Sequence, residues 1–144
     1  MISATIRGCG MYAPERVMTN EELEALVDTS DEWITSRTGI KQRHIAGPGE
    51  STSSMGIEAA KIALSRAELT PDEIDLVICG TATPDFPFPA TACLIQDALG
   101  IGGGAFDLEA GCTSFMYGLS IASAYVSCHS WGLMISTYAL PSVM

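Results

Sequence analysis

Positive charge is scarce in this chain: seven Lys and Arg stand against 17 Asp and Glu, for a net charge of −10. That balance argues against nucleic acid or an anionic membrane as a general partner, since both are held by basic side chains on phosphate. A GxGxxG turn, a P-loop and metal-ligand spacings are missing too, so no dinucleotide, no triphosphate cradle and no resident metal is expected. The two histidines, His44 and His129, lie far apart, and spacing alone assembles no catalytic triad. Five cysteines (Cys9, Cys79, Cys93, Cys112, Cys128) form no CxxC pair. Such an odd, scattered set in apolar settings reads as free thiols in a reducing cytoplasm. Met1-Ile2-Ser3-Ala4-Thr5-Ile6-Arg7 lacks a basic stretch followed by an apolar run, so no secretory leader is read there. No charged residue follows Glu109, yet Gly, Ser, Thr and His129 interrupt that stretch too often for a membrane span of about 20 apolar residues.

What is present is enough apolar content for a core. Of 144 residues 47% are hydrophobic, which suits one globular domain rather than a disordered chain. Apolar runs alternate with helical patterns. The reading predicts a strand over 2–10, a short capped helix from Thr19-Asn20-Glu21-Glu22 to Val27, and a second helix capped by Thr29 or Ser30 and stopped by Gly39. A loop at 47–50 precedes a helix over 51–67, whose Met55, Ala59, Ile62, Ala63 and Arg66 share one face. After a turn at Pro71-Asp72-Glu73, residues 74–81 read as a strand covered on both faces. The proline-rich 83–89 stretch is a loop, with Phe86 and Phe88 available to line a pocket or an interface, and 90–99 is a helix ended by Gly100. A turn at 127–130 and a last strand over 132–137 follow. Strands alternating with helices predict an α/β layered fold with a mostly parallel sheet.

The organising stretch is 102–118, read as a short buried strand, a tight turn carrying Cys112 and a helix. Small residues on both sides of Cys112 let the backbone turn sharply and let another group approach the sulfur. The helix, over 114–126, carries no charge and is expected to be buried all round. A thiol at such an N-terminus faces unpaired N–H groups and the positive end of the dipole, a setting that favours the nucleophilic thiolate. The plainer alternative is a small core cysteine. Trp33 and Arg37, four apart on one helical face, pair a flat aromatic with a guanidinium, which suits a stacked ring and a phosphate. The alternative there is a Trp half in the core beside a solvated Arg. A thiol-redox role has no resolving cysteine placed to serve it.

Taken together, Asp28-Thr29-Ser30-Asp31-Glu32-Trp33-Ile34, Arg37-Thr38-Gly39-Ile40, Arg43-His44-Ile45-Ala46 and the Cys112 elbow resemble the N-terminal half of β-ketoacyl-acyl-carrier-protein synthase III. The resemblance runs from about residue 2 to residue 126 and implies the thiolase-like layered fold, with a mostly parallel mixed sheet flanked by helices. It implies that Cys112 takes an acyl group from acyl-CoA, and that the acyl-enzyme condenses with malonyl-acyl-carrier protein to open fatty acid synthesis. Trp33 and Arg37, with Thr29 and Thr38 nearby, would hold the adenine end of coenzyme A. Phe88 would reach across a homodimer to the partner's acyl pocket. No permanently bound cofactor is implied; coenzyme A enters as a substrate thioester. The family's catalytic histidine and asparagine lie in a second half, and neither His44 nor His129 matches that histidine's motif. The chain is accordingly expected to be a single half-domain, incomplete for condensation, with a non-catalytic or partner-binding half-domain as the alternative. Its last stretch, Ser136-Thr137-Tyr138-Ala139-Leu140-Pro141-Ser142, departs from the family pattern.

Overall fold

Leu76-Val77-Ile78-Cys79-Gly80 is buried at every position and forms β3 (Leu76–Gly80), the middle strand of a parallel sheet. This is the computed structural model's central element, and the structure describes residues 4–128 and 132–138. A strand with apolar side chains pointing both ways needs cover on both faces, which parallel sheets obtain from their crossover helices. β4 (Gly104–Leu108) and β5 (Met134–Tyr138) flank β3, both parallel to it, with Cys79 level with Asp107 on one side and Thr137 on the other. α4 (Thr91–Leu99) connects β3 to β4, and α5 (Ser114–Ser127) lies between β4 and β5 in the chain. The α/β architecture read from the sequence is therefore present.

The described residues fall into two compact units, one holding Ala13–Glu50 and the other the sheet together with the stretch through Tyr12. In the sheet unit, α3 (Thr52–Ala67) starts at the Ser51/Ser54 capping box. α3 and α4 close a core of Ala60, Leu64, Val77, Cys79, Ala92, Ile95, Ile101 and Ile135. α4 begins at Ala90, which has no side chain to cap with; instead the Asp107 carboxylate, arriving from β4, accepts from Thr91 N and Ala92 N at 2.7 Å each. Burial of the Cys79 thiol in this core pushes its pKa up to about 11.

In the smaller unit, β1 (Val17–Thr19) pairs antiparallel with β2 (Gln42–His44), and between them lie α1 (Asn20–Glu24) and α2 (Asp31–Thr38). Thr19 caps α1 with a capping box, as its sequence predicts, but α1 ends at Glu24 and not at Val27. Ser30 caps α2, and Gly39, at φ 72°, ends it in the left-handed conformation that glycine adopts without penalty. Neither three-residue strand was expected.

Three expectations are corrected. Ala4–Gly10 forms no strand: it meets no ladder partner among the described residues and lies instead on α3, where Arg66 Nη1 donates to the Cys9 carbonyl at 2.9 Å. A Cβ on Gly10 would sit 1.9 Å from the Ala59 carbonyl oxygen, so only glycine permits this approach. The Ala59–Ala63–Arg66 face of α3, with Ala67, thus meets the N-terminal stretch, while the core takes Gly56, Ala60 and Leu64. Second, α5 is not buried all round. Only Ser114 and Gly118 are buried, and Phe115, Met116 and Tyr117 are 43%, 61% and 53% exposed. Third, the cysteines do not share one apolar setting: Cys79 is buried, whereas Cys9, Cys112 and Cys128 are exposed. The last strand lies at Met134–Tyr138, slightly later than read, and part of the expected 127–130 turn lies outside the described residues.

Candidate active site

β4 delivers the chain to the elbow. Gly111, at φ 56°, turns the backbone, and Gly111–Thr113 make a single 3-10 turn that runs directly into α5. Two hydroxyls hold the turn. Ser114, buried, donates to the Leu108 carbonyl at 3.0 Å and accepts from Ala110 N at 2.9 Å. Thr113 Oγ1 donates to the Ala110 carbonyl at 2.7 Å. With the turn's neighbours fixed in this way, Cys112 stands exposed within one turn of the α5 N-terminus. The arrangement is a rigid mount for an accessible thiol, which suits nucleophilic attack on a carbonyl. It does not suit a core filler, and the plainer reading of Cys112 falls.

Phe88 sits on the same unit, in the loop between β3 and α4, and is 88% exposed. The Phe88–Pro89 peptide bond is cis. The loop is held firmly at its base. Thr52 Oγ1 donates to the Thr83 carbonyl at 2.7 Å, and Asp85 accepts from Ser53 N at 2.9 Å and from Ser53 Oγ at 2.7 Å. Burial pushes the Asp85 carboxyl up, but hydrogen bonds from Ser51 and Ser53 outweigh it and hold the group below the usual carboxylate range. Phe88 itself stands clear of these contacts, its ring open to solvent.

In the smaller unit, α2 brings Trp33 and Arg37 together and carries Thr38 at its C-terminal end. The Arg37 guanidinium lies over the Trp33 ring, 4.9 Å from its centroid, and Trp33 remains 54% exposed. Thr38 Oγ1 donates to the Ile34 carbonyl at 2.8 Å and accepts from Ile40 N at 3.1 Å, so its hydroxyl is largely engaged in closing the helix. Thr29 precedes the cap residue Ser30 and is partly exposed. Among the described residues no cluster of three His, Cys, Asp or Glu could hold a metal, and no helix is long and apolar enough to cross a membrane. Residue patterns did not single out Asn20, Asp85 or Asp107. Only Asp107 carried a local signal: an acid inside an otherwise apolar strand must find donors.

No family model matches the chain. Over 127 residues it is 57% identical to the β-ketoacyl-[acyl-carrier-protein] synthase III of Sinorhizobium medicae, an alignment covering 88% of this chain and 39% of that protein. The chain belongs to the β-ketoacyl-[acyl-carrier-protein] synthase III family. The synthase III of Natranaerobius thermophilus is 47% identical over the whole of this chain and 45% of its own length. The crystal structure of 3-oxoacyl-[acyl-carrier-protein] synthase III from Aquifex aeolicus superposes with a TM-score of 0.90 at 47% identity, over 93% of this chain and 44% of that one. The thiolase-like fold is thus shared with synthase III chains. This chain spans less than half the length of these relatives.

Proposed function

We propose that this chain is the acyl-loading portion of a synthase III-type condensing enzyme of fatty acid synthesis, working in the cytoplasm and folding as one thiolase-like half-domain. The observation that carries the reading is Cys112, exposed on a turn that Ser114 and Thr113 hold rigid at the head of α5. In the proposed step the Cys112 thiolate attacks the carbonyl of acetyl-CoA. The tetrahedral adduct collapses, the carbon–sulfur bond to coenzyme A breaks, and coenzyme A leaves as its thiolate. Cys112 is left as a thioester, itself activated for the next transfer. Condensation with malonyl-acyl-carrier protein then needs carbon dioxide lost from the malonyl group and the resulting carbanion to attack the acyl-enzyme, releasing Cys112. That step draws on groups outside the span matched here, so loading is the activity assigned to these residues.

Trp33 and Arg37 are the proposed holders of the adenine end: the exposed ring offers a stacking surface and the guanidinium a phosphate contact. Thr29, before the cap of α2, and Thr38, its last residue, are the proposed further contacts. Phe88, on its pinned loop, is the proposed contact to the acyl pocket of a second copy in a homodimer. No resident cofactor is invoked. A second reading, a binding half-domain without catalysis, is favoured by one observation: the Phe115–Met116–Tyr117 surface beside the thiol stands open. Intact mass after incubation with acetyl-CoA separates the two. One acetyl increment on the wild type and none on Cys112→Ala supports loading; no increment on either leaves the binding reading.

A further inference from the structure

Neither the start of α1 at Thr19-Asn20 nor Arg43-His44, a run of the family resemblance that lies on β2, has a part in the proposed acyl loading. The structure joins them. The Asn20 side chain is completely buried, although it belongs to one of the more polar residue types. Its Nδ2 donates to Asp31 Oδ1 at 2.7 Å and to the Ile40 carbonyl at 2.9 Å, with Thr35 Oγ1 at 3.4 Å. Its Oδ1 accepts from Arg43 Nη2 at 2.6 Å, and Arg43 Nη1 donates to the Thr19 carbonyl at 3.2 Å. Thr35 Oγ1 in turn donates to Asp31 Oδ1 at 3.1 Å.

The geometry has a consequence for α2. Asp31 is its first residue, and Ile40 is the residue after its Gly39 cap. One amide therefore grips both ends of the helix and ties them to β2 through Arg43. An eight-residue helix is too short to hold itself together in water, and depends on external contacts for its place. The main apolar anchor of α2 is Ile34, its sole buried residue. Few side chains could replace Asn20. The site asks for two donors toward Asp31 and Ile40 and one acceptor toward Arg43, which a carboxylate or an aliphatic group cannot supply.

We propose that Asn20 is the positioning residue of α2: it touches no ligand itself, but holds the helix so that the stacked Trp33–Arg37 pair stands in a fixed place. Its value to acyl-CoA binding rests on the reading of Trp33 and Arg37 given above; its hold on α2 does not. Asn20→Asp is the sharpest test, because it keeps the volume and the Arg43 contact while turning both donors into acceptors. The expected result in this chain is amide exchange faster by about tenfold across 31–40, with 52–67 in α3 unchanged. Adding Asp31→Asn reverses donor and acceptor across the 2.7 Å contact and should restore part of the protection. Titrating coenzyme A against Trp33 fluorescence, in a Trp131→Phe background, should show weaker binding for Asn20→Asp by roughly the same factor. Transfer from the small thioester S-acetyl-N-acetylcysteamine to Cys112 should keep its rate. Unchanged exchange across 31–40, or exchange raised equally in α3, overturns the proposal. A wild type that fails to bind coenzyme A overturns the acyl-CoA reading instead, and the exchange data then decide the role of Asn20 alone.

Discussion

The two helix layers of the sheet unit differ sharply in how much they bury. α3 and α4 close over the Val77 and Cys79 face of β3, and Ile95, Ala92 and Ala60 are at most 2% exposed there. α5 has the more continuous apolar character but buries only Ser114 and Gly118. The first layer is finished by its own chain: Asp107 caps α4, and Asp85 and Thr83 are gripped from the start of α3. The second layer carries the exposed Cys112 at its head and an open aromatic surface behind it. Composition records what a helix is suited to bury, whereas burial records what covers it. The difference locates where another surface belongs: on the side that carries Cys112.

The largest effect is expected on the finished side. Ile95 is completely buried, and its Cδ1 would lie 2.8 Å from a Cβ placed on Gly56, so α3 and α4 meet there at close range. Ile95→Ala should lower the unfolding free energy by about 2–5 kcal/mol, read from denaturant midpoints at constant slope. A loss below about 1 kcal/mol would mean that the α3–α4 layer is loosely packed, and the contrast with α5 would weaken.

How far the sequence foretold this picture depends on how local each feature is. Gly39 and Gly100 were readable as stops, and the caps to within one residue (Thr29 or Ser30, Ser51 or Thr52), because each acts within one turn of its own position. The elbow was readable too, since small residues around Cys112 suffice to signal a sharp turn. β1 and β2 were not, because each has three residues and finds its partner about two dozen positions away. The strand expected over 2–10 shows the reverse error: alternation in sequence cannot report whether a ladder partner exists, and Ala4–Gly10 lies on α3 instead. Asn20 and Asp85 were silent for a similar reason. Each looks like an ordinary turn or cap residue until the fold brings donors and acceptors from distant segments onto it.

The two faces also predict different thiol chemistry. Cys79, under α3 and α4, has its pKa raised to about 11 by burial, whereas Cys112 is exposed. A raised folded-state value stabilises the fold fully below the unfolded cysteine value near 8.5, and that contribution is lost as pH rises toward 11. Stability should therefore fall between about pH 9 and pH 11, and more steeply in wild type than in Cys79→Ala. Peptide mapping after brief iodoacetamide treatment at pH 8 should find Cys112 alkylated and Cys79 protected. Equal labelling of the two would mean that the covered face opens as readily as the uncovered one.

The smallest stability effect belongs to α5, and it makes the comparison most exposed to failure. Met116→Gln and Tyr117→Ser remove apolar surface that the described residues leave in water, so each should change the unfolding free energy by no more than about 0.5 kcal/mol. Their effect should appear in association instead: an open apolar patch drives contact between copies or with a complementary partner, and sedimentation should show less self-association in the double variant. The sign of the two readouts matters jointly. A stability loss comparable to that of Ile95→Ala would show that α5 is already covered in solution, so that the open layer is closed by residues of this same chain. Neutral stability with reduced association leaves the finished layer and the open layer as different in solution as they are in the fold. The surface next to Cys112 is then one that associates with another polypeptide.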